Sequence, residues 1–191
     1  MLVDSHCHLD FPEFGEDLDA VVGRAGEAGV GTMLTIATRL DRFPGVLAVA
    51  ERFSNVFCTV GIHPHEAKDA PQGVALELLR PARHPKVVGF GETGLDFYYE
   101  HSPRDAQEAS FREHIAAARE ADLPVIIHAR DADADTIRVL RDEYARGPFR
   151  GLLHCFSSGP ELAEEALKIG LYISFSGIVT FKKAEALRAV A

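Results

Sequence analysis

The sequence predicts an α/β fold, a TIM-type (β/α)8 barrel that is incomplete, with about seven βα units in this chain. Three observations predict it. Short apolar segments alternate with helix-length amphipathic ones from end to end of the chain. The strand-like segments are almost continuously apolar, as expected of a parallel sheet covered on its outside by helices. Four of them finish in histidine or glutamate, and strand C-termini converge on one face of a barrel. A doubly wound open sheet is the alternative the same pattern allows.

Leu2 to Asp10 reads as a short strand in which His6 and His8 share a face and Cys7 points the other way. Phe11-Pro12 and Gly15 make a loop, and Leu18, Val21, Val22, Ala25 and Ala28 form a helical stripe that stops at Gly29. Thr32–Ile36 is the second strand, Val46 to Phe53 marks a helix, and Val56–Val60 is the third strand. A helix around Val74 to Leu79 leads to the fourth strand, Val87–Glu92. The next helix carries the strongest start signal: Ser102 as N-cap, Pro103 at the first helical position and Asp105 completing a capping-box pattern, with Phe111, Ile115 and Ala118 inward. Val125–His128 is strand five, followed by a helix bearing Ile137, Leu140 and Tyr144. Leu152–His154 is strand six, with a helix from Pro160 anchored by Leu162, Ala166 and Ile169, and Leu171–Phe175 is strand seven. Lys182 to Ala191 reads as the start of a further helix, so an eighth strand is expected to be missing. The edges of strands one and seven would then be unpaired and open to self-association.

With 191 residues and 47% hydrophobic side chains, the chain can bury one sizeable core, and a single domain over 1–191 is expected. The net charge of −9 offers no broad basic footprint for nucleic acid, although a bound divalent metal adds local positive charge that this count omits. No apolar run is long enough to span a bilayer and no basic n-region opens the chain, so no membrane association and a cytoplasmic location are expected. Cys7, Cys58 and Cys155 are widely spaced, which suits a reducing compartment better than a disulfide framework.

The inward-facing polar residues that come last on their strands are His6, His8, Glu92, His128 and His154. Four imidazoles and a carboxylate exceed the usual protein ligand set of one catalytic zinc and suit two divalent ions. Glu92 can bridge them, with His6 and His8 on one and His128 and His154 on the other. Such a pair polarises a bond under attack and steadies the leaving oxygen, so the chemistry implied is hydrolysis. Imidazoles favour zinc or manganese over magnesium.

Asp4-Ser5-His6-Cys7-His8-Leu9, Gly61-Ile62-His63-Pro64-His65, Gly91 to Tyr98, Pro124 to Arg130 and His154-Cys155-Phe156-Ser157 together resemble the signature segments of the TatD-type metal-dependent deoxyribonucleases, within the amidohydrolase superfamily. The resemblance runs the length of the chain. It implies a barrel, two divalent ions (Mg, Mn or Zn), and metal-activated water that hydrolyses DNA phosphodiester bonds, typically as a 3′-to-5′ exonuclease on single strands or ends. It places metal ligands at His6, His8, Glu92, His128 and His154. Members of the family carry a further aspartate at the end of an eighth strand, in a Glu-Thr-Asp type segment that has no counterpart here. Two alternatives therefore stand beside the nuclease: another superfamily hydrolase acting on an amide, a lactone or an aminoacyl-tRNA ester, and a catalytically impaired metal-binding fragment.

Beside Glu92, the candidate catalytic residues are His63, which with His65 is expected to contact a phosphate or the leaving group, and Arg130, which can pair a phosphate oxygen. Asp96 is placed to orient a histidine ligand, and Ser157 is a possible donor. Tyr98 and Tyr99 either stack on bases or simply pack. Cys7 and Cys155 read as small apolar residues facing the helices.

Overall fold

The computed structural model describes residues 1–191. Seven strands lie side by side in sequence order: β1 (Leu2–Cys7), β2 (Val30–Thr35), β3 (Val56–Val60), β4 (Val87–Asp96), β5 (Val125–Arg130), β6 (Gly151–Leu153) and β7 (Tyr172–Ile173). Every neighbouring pair is parallel. Helices α1 (Leu18–Glu27), α2 (Phe43–Arg52), α3 (Val74–Leu79), α4 (Arg104–Ala121), α5 (Asp133–Arg146) and α6 (Pro160–Lys168) make the crossovers, and α7 (Glu185–Val190) follows β7. The sheet curls. Laid flat, β1 and β6 would stand roughly 24 Å apart at ~4.8 Å per strand, yet the rings of His6 and His154 stack with centroids 3.9 Å apart. This is an incomplete (β/α) barrel with β1 and β7 as its edges.

The apolar strands bury on both faces because helices cover one side and the strands' own side chains fill the other. Val56, Cys58, Val60, Val87, Phe90, Val125, Ile127 and Leu153 join the helix residues Val46, Phe111, Ile115, Leu140 and Leu162 in one cluster of 34 buried residues. No helix is long and apolar enough to cross a membrane.

Four local expectations change. Strand β4 does not close at Glu92 but runs to Asp96, because β5 continues beside it with Gly94 opposite His128 and Asp96 opposite Arg130. Only glycine allows this approach: at Gly94 (φ +134°) a Cβ would lie 2.0 Å from the carbonyl oxygen of His128. Second, Ser102 caps no helix. The N-cap of α4 is Pro103 without a side-chain bond, because the Ser102 hydroxyl is taken up elsewhere, donating to the carbonyl of His65 and accepting from Lys68 N–H. Third, Asp105 accepts only from the adjacent Ala106 N–H. Fourth, Cys155 is exposed rather than packed on a helix, since β6 ends at Leu153 and the chain turns at Cys155 (φ +45°), where Sγ meets Ser176 Oγ at 3.0 Å. Cys7 keeps its expected place: it packs on the core, donates to Leu34 carbonyl, and burial pushes its thiol up to about 12.

Candidate metal centre

β1, β4, β5, β6 and the loop after β3 bring six side chains, His6, His8, His63, Glu92, His128 and His154, to one point. Glu92 lies at its centre, 3% exposed. His128 Nδ1 is 3.0 Å from Oε1, His154 Nε2 contacts the same oxygen, and His63 Nε2 is 3.7 Å from it. His6 Nε2 stands 3.3 Å from Oε2. His8, just past the end of β1, donates from Nδ1 to the Ile36 carbonyl at 3.2 Å, which leaves the Nε2 lone pair free. The donor atoms of His6, His8 and Glu92 all lie within 4.8 Å of one another, and so do those of His63, Glu92 and His128.

All five residues expected as metal ligands therefore meet, but their grouping is not the one strand order implied. His63 joins Glu92 and His128, while His154 touches Glu92 from outside both triplets with its ring against His6. The loop after β3 is what brings His63 in. Its 3-10 turn, Pro64–Asp69, starts at His63, whose Nδ1 accepts from His65 N–H.

Burial pulls the Glu92 carboxyl toward its neutral form, but hydrogen bonds from His128, His154 and His6 outweigh this and hold it well below the ordinary carboxylate range. Burial dominates at His63, lowering it to about 3, and also lowers His8 and His154. At His128 burial is overcome by Glu92 and Asp96, so its value rises. The result is an ionised carboxylate ringed by imidazoles, of which burial pushes His8, His63 and His154 toward the neutral form with a lone pair to offer, a donor set that fits a divalent ion. His6 Nδ1 and His154 Nδ1 are buried without a partner, so both rings retain unused bonding capacity.

Asp96 holds the outer side. Its Oδ2 is 3.0 Å from His65 Nε2 and 3.1 Å from His128 Nε2. With Nε2 of His128 occupied by this carboxylate, Nδ1 is the nitrogen that faces Glu92, as expected of a carboxylate that orients a histidine ligand. Oδ1 accepts from Tyr98 and Tyr99 N–H. Arg130 lies half-buried with its guanidinium 4.1 Å from the Tyr98 ring centroid and 4.9 Å from that of Tyr99. A cleft of about 410 Å³ is lined by Tyr98, Arg130, His128, His154 and Ser157.

One supporting residue escaped the sequence reading. His114 on α4 is fully buried; its Nδ1 donates to the Ser110 carbonyl at 2.7 Å and its Nε2 accepts from Ile62 N–H at 3.0 Å. It thereby fixes the backbone immediately before His63. A histidine three positions from Phe111 and next to Ile115, on the inner face of an amphipathic helix, was the available signal.

Parallel strands that converge a buried carboxylate and a ring of imidazoles define this chain as a metal-dependent hydrolase of barrel type. It belongs to the TatD-related DNase family, whose model matches residues 3–191. YcfH of Escherichia coli K12, an uncharacterized metal-dependent hydrolase, is 45% identical over 193 residues, which cover 100% of this chain and 72% of YcfH. The TatD 3′-5′ ssDNA/RNA exonuclease of Enterobacter lignolyticus is 36% identical over 178 residues, covering 93% of this chain and 68% of that protein. Among solved structures, the TatD homolog YjjV of Escherichia coli K12 superposes with a TM-score of 0.87 at 34% identity, over 99% of this chain and 73% of YjjV.

Proposed function

We propose that the chain hydrolyses phosphodiester bonds of single-stranded DNA from the 3′ end, with two divalent ions held by its histidines and Glu92. The observation that carries this reading is the buried carboxylate of Glu92, shared by two donor triplets. His6 and His8 would hold one ion. His128 and His63 would hold the other, with His154 completing the shell at Glu92 Oε1. When bound, ions of magnesium, manganese or zinc supply the charge that polarises the phosphodiester and activates water. Asp96 keeps His128 in the orientation that presents Nδ1. Arg130, which makes no ion pair with a carboxylate of this chain, donates to a non-bridging phosphate oxygen and sets the substrate's position. The relative from Enterobacter lignolyticus, a 3′-5′ ssDNA/RNA exonuclease, supports the choice of substrate. The free cysteines accord with a cytoplasmic location.

The test is incubation of 5′-labelled single-stranded DNA with the manganese- or magnesium-loaded chain. The expected result is a ladder shortening from the 3′ end that chelator abolishes. Metal-loaded protein that leaves DNA intact but cleaves an ester, lactone or amide would replace this reading with another hydrolase of the same site.

A further inference from the structure

We propose that Tyr98, Tyr99 and Arg130 form a stacking subsite for an unpaired nucleobase, the feature that selects single strands; this rests on the nuclease reading above. The two tyrosines are 57% and 49% exposed, in contrast to the buried strand they follow. Their rings meet edge to face at 4.7 Å, and the Arg130 guanidinium lies over both. Arg130 is half-buried, and while its carbonyl accepts from Phe97 N–H, its guanidinium forms no hydrogen bond or ion pair with the rest of the chain. Tyr99 already stacks on His101 with centroids 5.5 Å apart, so the more exposed Tyr98, beside the Arg130 guanidinium plane, is the surface on which a base can stack.

The unit is fixed relative to the metal centre by one side chain. Asp96 accepts both tyrosine N–H groups on Oδ1 and contacts His128 on Oδ2, so the aromatic turn and the ligand histidine share an anchor. Tyr98, Arg130, His128 and His154 line the same cleft of about 410 Å³, a volume in the range of small-ligand sites. Charge argues in the same direction. At −9 the chain lacks the basic surface that binds duplex phosphates, so affinity for a nucleic acid must come from the ions, Arg130 and stacking. A base inside a duplex has its faces covered by its neighbours, whereas an unpaired base offers both.

The experiment measures fluorescence anisotropy of labelled phosphorothioate pentathymidylate on the manganese-loaded chain, and of the same backbone with abasic tetrahydrofuran residues. Tyr98→Ala is expected to weaken pentathymidylate binding about ten-fold, with Tyr98→Phe close to the original chain and with the abasic ligand unaffected by either change. Tyr98 is exposed, and an unchanged melting curve checks that the variant folds. Equal binding of pentathymidylate by the original chain and Tyr98→Ala would overturn the subsite, and so would an equal loss on the abasic ligand. Hydrolysis of DNA that does not depend on Tyr98 would remove the subsite and leave the nuclease. Tyrosine-dependent binding without hydrolysis would do the reverse, and a chain that binds neither ligand would overturn both.

Discussion

The middle of the sheet and its edges support the same chemistry in different ways. In the middle, every residue of β4 except Val88 is buried, and its pairing with β5 is continuous from Thr93 opposite Ile127 to Asp96 opposite Arg130. His63, Glu92, Asp96 and His128 stand on this frame, tied by Ser102 to the loop after β3 and by His114 to Ile62. At the edges, Leu2 and Val3 of β1 are 63% and 61% exposed, and β7 is two residues long with Tyr172 78% exposed. His6 stands on β1, which is paired on one side only, and His8 follows directly after its end. All three donors of one triplet are thus tied into the middle of the sheet, whereas two of the other's three come from the end of an edge strand, so the inner one is preorganised and the edge one more easily displaced.

Glu92 is common to both regions, and its loss should have the largest effect. Glu92→Gln is expected to empty both triplets and lower hydrolysis by about 10³-fold, whereas His6→Ala should release the edge ion alone. Metal analysis of the two purified variants separates these cases; an emptied inner triplet in His6→Ala would end the division into two regions.

Gly94→Ala attacks the middle directly. A Cβ at 2.0 Å from the His128 oxygen at φ +134° forces β4 from β5, which should cost about 3 kcal/mol or more and lower the melting temperature by roughly 10 °C. A smaller cost at this position than at an exposed β1 site such as Val3→Gly would reverse the contrast.

His114 sharpens it through pH. Burial lowers this histidine from 6.5 to about 4, so between those values the unfolded chain binds a proton that the folded one refuses. The stability it contributes is present above about pH 6.5 and is lost as pH falls toward 4. Between pH 7 and pH 5 the loss should be about 2 kcal/mol, read as the drop in urea midpoint. His114→Gln, which can still accept from Ile62 N–H, should show a shallower drop; an identical pH slope in both proteins would show that His114 is not the titrating group.

The smallest effect belongs to the outer surface. Arg138→Ala removes the pairs with Glu108 and Asp135, which face water in part, and should change stability by less than about 1 kcal/mol. A larger loss in thermal unfolding would mean that the α4–α5 surface holds the sheet's middle in place.

The positions that the sequence determined by itself were those written as periodicity. The strand cores, their order, and the donors His6, His8, Glu92, His128 and His154 all fell out of apolar runs ended by polar residues, because a strand's two-residue period fixes which side chains share a face. Tertiary structure alone decided the rest. Ser102 and Pro103 carry the local signature of a helix start, yet the hydroxyl is recruited by the loop after β3, 37 residues away in sequence from its partner carbonyl at His65. Cys155 escaped strand parity because parity ends where the strand does. His63 became part of a donor triplet, and His114 its support, only because the curled sheet brings a loop, a strand and a helix to one point. Pairing at such distances has no local period, since it depends on the curvature of the sheet, and that is set by the whole core rather than by any one segment.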